Sequence, residues 1–101
     1  MNSIFPIQVP SYSERDFEHQ HVSEEAYASY VNDIDNLNKE AEKYINMYNI
    51  ATDKLLSWSV PEETKSVYRK QRDKAGIKLK ILAKQAHIHW LALQLLSIEN
   101  E

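Results

Sequence analysis

The scarcity of turn residues constrains this chain more than any other feature. Gly76 is the one glycine in 101 residues, and the prolines are confined to Pro6, Pro10 and Pro61. A β-sandwich or barrel needs a turn signal roughly every 8–12 residues, which this sequence does not supply. A glycine-rich phosphate loop cannot be written either, so the nucleotide folds that depend on one are excluded. What remains is a small number of long elements. At 101 residues the prior is a single domain. With 43% hydrophobic and 27% charged residues, the balance is that of an ordinary soluble globular protein.

The apolar residues set the period of those elements. Tyr27, Tyr30, Ile34, Leu37, Ala41, Tyr44, Tyr48, Ala51, Leu55 and Trp58 follow one another in steps of three and four. That is a heptad seam, the mark of a helix that packs along one stripe. Ser23 is suited to cap its start, because a serine hydroxyl accepts from a free first-turn N–H. Glu24 and Glu25 then lie at the positive end of the helix dipole, and Val22 and Tyr27 hold the positions of a hydrophobic staple. A break is expected around Pro61, with Ser59 and Glu62 at capping-box spacing. A second seam follows through Tyr68, Arg72, Ala75, Leu79, Leu82, Ala86, His89, Leu93 and Leu96.

The expected fold is therefore all-α: a long antiparallel two-helix hairpin, about 23–58 and 60–98, preceded by an extended N-terminal tail. With the bend near residue 60, Tyr44 should face Gly76, Ala41 should face Leu79, Ile34 should face Ala86 and Tyr30 should face Trp90. Room for the tyrosine ring, or a local kink, would explain a glycine inside a helix, where it costs about 1 kcal/mol relative to alanine.

The second helix carries a further apolar face. Ile77, Ile81, Ile88, Leu91, Leu95 and Ile98 fall roughly opposite its first seam. One partner helix cannot cover both, and monomers rarely expose apolar patches beyond a few hundred Å². A homodimer closing into a four-helix bundle is the simplest expectation, with a different protein partner as the alternative.

Residues 1–22 show no helical period, and Pro6 and Pro10 forbid one. This segment is read as an extended or disordered tail ahead of a hairpin domain over 23–101. Its apolar residues, Phe5 and Ile7 above all, are candidate anchors for a partner's groove; a frayed terminus is the plainer reading.

Charge is partitioned along the chain. Residues 1–60 carry ten acids and four bases, a net −6, and residues 65–84 carry eight bases and one acid, a net +7. Acidic helix one against basic helix two is the first reading, with Lys80 near Glu40 and with Lys78 and Lys84 reaching Glu42, Asp35 or Asp33. An acidic protein partner, or a nucleic acid bound through Arg69, Lys70, Lys74 and Lys78, are the alternatives. The overall charge of −3 weighs against nucleic acid.

Little in the sequence carries catalytic chemistry. With no cysteine there is no thiol nucleophile and no thiolate metal site. His87 and His89 are two apart on a helix and point away from each other, so they cannot share a metal. His19 and His21 would share a face if extended, but they read as part of a polar tail. His89, on the seam, is expected as a hydrogen-bonded core residue. No nucleophile–base–orienter set can be picked out, and neither a metal nor a cofactor is expected. No signal peptide and no membrane span is read, so a cytoplasmic location is the default. The expected function is a non-enzymatic protein–protein interaction module: a small helical adaptor, chaperone or inhibitor.

Overall fold

A computed structural model describes residues 4–9 and 22–100. Two helices account for most of them: α1, Glu24–Leu56, and α2, Glu62–Glu99. They lie antiparallel as a hairpin of 60 × 19 × 18 Å, so the all-α expectation holds. Among the described residues no helix is long and apolar enough to cross a membrane.

The start of α1 is built as its sequence implies. The Ser23 hydroxyl accepts from the Ala26 N–H at 3.1 Å, and its carbonyl accepts from the Tyr27 N–H at 3.0 Å. Val22 is buried in the core cluster and Tyr27 packs against that cluster, as a hydrophobic staple requires. The start of α2 differs from expectation. Pro61 is its N-cap and makes no side-chain cap, so the Ser59–Glu62 capping box does not form. Ser59 instead shares a hydrogen bond with Ser57, Oγ to Oγ at 2.8 Å. Glu62 turns to the cations one and two turns on, Lys65 at 3.5 Å and Arg69 at 3.2 Å. Trp58 also departs from the seam it was read into. Helix α1 ends at Leu56, and Trp58 sits in the turn, 94% exposed.

The core is the stripe between the helices. Tyr30, Ile34, Leu37, Ala41, Tyr44 and Ala51 of α1 are buried, as are Ala75, Leu79, Leu82, Ala86, Leu93 and Ser97 of α2. Ile34 is wholly enclosed, and truncating such a side chain to alanine costs about 2–5 kcal/mol. The expected seam on α2 is wrong at its far end, where Ser97 is buried and Leu96 is 41% exposed. A strict heptad drifts about 20° per repeat on a straight helix. Five turns take 18 residues, so Ser97 stands in line with Leu79 while Leu96 has rotated outward.

The expected register holds at one level and slips at another. The Tyr30 and Trp90 rings meet at 5.9 Å between centroids, tilted by 54°. Gly76, however, stands beside Tyr48 rather than Tyr44, one turn further along α1.

Candidate functional site

Helix α1 is apolar on one side and polar on the other, whereas α2 is apolar on two. At 3.6 residues per turn, the outer face of α2 lies roughly 180° from its buried stripe. Ile77 is 59% exposed, Ile81 44%, Ile88 62%, Leu91 51%, Leu95 56% and Ile98 61%. All six candidate interface residues are thus left open by the hairpin. Their spacing is again three and four, with Lys84 holding the one seam position between Ile81 and Ile88 that is not apolar.

Phe5 and Ile7, read as anchors for a partner, lie against the hairpin of their own chain. The segment 4–9 contains neither helix nor strand and crosses one groove between α1 and α2. Asn38 holds it there through the main chain. Its Oδ1 accepts from the Ile7 N–H at 2.8 Å, and its Nδ2 donates to the Ile7 carbonyl at 3.1 Å. One side-chain amide thereby does what a neighbouring strand would do, satisfying both main-chain groups of one residue. Phe5 and Pro6 line a cavity of about 330 Å³ with Asn38, Glu42 and Ile45. Residues 10–21, with His19 and His21, lie outside the described residues.

The cations of α2 do not pair across the hairpin. Among the described residues, no lysine or arginine of α2 forms an ion pair with a carboxylate of α1. The expectation that set Lys80 against Glu40, and Lys78 and Lys84 against Glu42, Asp35 or Asp33, is therefore corrected, and Asp33 faces His89 instead. The reason is azimuth: these lysines leave α2 at roughly 70–170° from the direction of α1. Arg69 binds Glu62 and Arg72 binds Asp73, both within α2. Lys70, Lys74, Lys78, Lys80 and Lys84 are all exposed. Glu62 carries the clearest electrostatic signature: the hydrogen bond from Arg69, with Lys65 beside it, holds its carboxyl below the usual range.

Among the described residues one ion pair crosses the hairpin, His89 Nδ1 to Asp33 Oδ2 at 3.6 Å, if the imidazole is protonated. Both side chains are about two-fifths exposed, so His89 sits at the rim of the seam and not in its core. His87 points to another side of α2 and shares no ligand geometry with it. Among the described residues no group of three or more His, Asp or Glu is placed to hold a metal ion.

Sequence reasoning missed the tip. Trp58 and Leu56, 94% and 79% exposed, form an apolar knob at the end of the hairpin. The signal was available in Ser57, Ser59 and Pro61, which crowd turn-forming residues around the tryptophan. Neither a family model, nor a curated protein, nor a solved structure matches the chain.

Proposed function

We propose that this chain is a non-catalytic protein–protein interaction module that acts as a homodimer through the outer face of α2. The observation that supports the reading is the run of six half-exposed isoleucines and leucines on one side of one helix, opposite the core. Covering the exposed half of such a side chain is worth about 1 kcal/mol. Two copies bring twelve of them together, a gross burial of about 12 kcal/mol set against an association cost of the same order. The dimer then works as an adaptor, chaperone or inhibitor toward an acidic protein partner, met by the free lysines and by the Trp58 knob. Aromatic side chains of that kind are the usual anchors of protein interfaces.

Sedimentation equilibrium tests the reading. The wild type should be dimeric at about 100 µM, and the Ile88→Glu, Leu95→Glu double variant should be a helical monomer, because a carboxylate buried in an apolar interface is very costly. A wild type that stays monomeric at that concentration refutes it.

The exposed lysines favour a second reading, a nucleic-acid-binding protein using Arg69, Lys70, Lys74 and Lys78. Binding to duplex DNA through Z phosphates weakens with a log–log salt slope near −0.9Z. No binding at 50 mM salt, or a flat salt response, removes that reading.

A further inference from the structure

Charge along α2 decides how two copies would meet, an inference that rests on the dimer proposed above. The basic residues sit toward the start of α2, and Glu99 sits at its end. Lys74, Lys78 and Glu99 lie on the same flank of the apolar face, within roughly 60° of one another around the helix. A two-fold axis perpendicular to two antiparallel helices brings like flanks together, whereas a parallel pair brings opposite flanks together.

We infer that the occupant of the α2 outer face is the α2 of a second copy, packed antiparallel, with Glu99 of each chain seated between Lys74 and Lys78 of the other. The apolar run extends from Ile77 to Ile98, so its midpoint falls between His87 and Ile88. With the dyad there, facing residues sum to about 175. Ile77 then meets Ile98 of the second copy, Ile88 lies beside its own counterpart, and Glu99 stands level with the interval between the two lysines. Lys84 meets Leu91, where its aliphatic stem covers the leucine and its ammonium reaches the solvated rim. A parallel pair has weaker complementarity: its one attractive contact would set Lys78 beside Asp73 of the second copy, an aspartate that Arg72 of its own chain already holds at 3.3 Å. It would also set Lys78 against Lys80 of the second copy and leave Glu99 with no cation at its level.

The geometry also fixes the shape. Because the outer face is opposite the core stripe, the four helices lie in one row, α1, α2, and then α2 and α1 of the second copy. A square four-helix bundle is not formed. The overlap covers about residues 76–99 of each α2, so the two hairpin tips, with Trp58 and Lys70, overhang at opposite ends.

The chain has no cysteine, so single introduced cysteines report neighbours cleanly. A disulfide needs Cα atoms within about 7 Å. Under mild oxidation, Ile88→Cys should link to its own counterpart, and Ile77→Cys alone should not. A mixture of Ile77→Cys and Ile98→Cys chains should form the mixed dimer. In parallel, Glu99→Lys should raise the dimer dissociation constant about tenfold at low salt, with recovery in the Lys74→Glu, Lys78→Glu, Glu99→Lys triple variant and a smaller effect at about 0.5 M salt. Self-linking of Ile77→Cys as readily as Ile88→Cys means a parallel pair and overturns the inference while keeping the dimer. A dimer by sedimentation in which Ile88→Cys never links means another surface and also overturns it. A monomer by sedimentation refutes the proposed dimer itself.

Discussion

Replacing Gly76 with alanine should make this protein more stable. Glycine inside a helix is about 1 kcal/mol less favourable than alanine, because it gives up more backbone freedom on folding. Two circumstances would cancel that gain, a positive φ or a clash at the new methyl group. Neither applies: Gly76 does not have a positive φ, and a Cβ built on it would lie 3.9 Å from Tyr48 Cε2, an ordinary van der Waals contact. The methyl would enter an open groove lined by Tyr48, Arg72, Ile77 and Lys80. The full propensity difference should therefore appear, about 0.5–1 kcal/mol. For a domain of this size that raises the melting temperature by about 2–8 °C. Thermal unfolding followed by circular dichroism measures it, with both proteins at one concentration because self-association shifts the midpoint. A Gly76→Ala protein that melts lower would refute the reasoning and would mean that close approach of Tyr48 requires the glycine.

Three further outcomes follow from particular groups. Asn38→Ala removes both hydrogen bonds to Ile7 and should cost about 1–3 kcal/mol, with faster proteolytic cleavage within residues 4–9 as the local readout. The Thr52 hydroxyl is buried without a hydrogen-bond partner, so Thr52→Val should raise stability by about 1 kcal/mol in denaturant titration; a loss would show that the hydroxyl is satisfied in solution. Burial, with Tyr27 close by, raises the Tyr30 phenol above its usual value near 10. Above pH 10 or so the folded chain then holds a proton that the unfolded chain has lost, so stability should fall as pH rises through that range, and less steeply in Tyr30→Phe.

Much of the architecture was legible because it depends on local rules. The helix start at Ser23 follows from capping chemistry, the hairpin from one proline-bearing break, and the core stripe from spacing in threes and fours. The errors share a cause, which is that a one-dimensional pattern carries no azimuth or reach. The heptad could be continued to Trp58 and Leu96 on paper, whereas the real helix ends at Leu56 and rotates Leu96 outward. Net charges of opposite sign suggested pairing between the helices, whereas the lysines of α2 point elsewhere. Nothing local announces that Asn38 will hold Ile7, thirty-one residues away in sequence. The open face of α2 was legible for the opposite reason: two apolar stripes on one helix exceed what one partner helix can bury.

Small-angle scattering across a concentration series measures the proposed α2–α2 dimer most directly. A single hairpin has a length of 60 Å and a Cα radius of gyration of 18.3 Å. The antiparallel pairing of α2 predicts that the scattering mass doubles between about 1 and 200 µM while the maximum dimension grows only to about 80 Å, since the offset between the two helices is about 14 residues. The mass of a single chain at every concentration, or a doubled mass with a maximum dimension near 120 Å as in tip-to-tip association through Trp58, would contradict it.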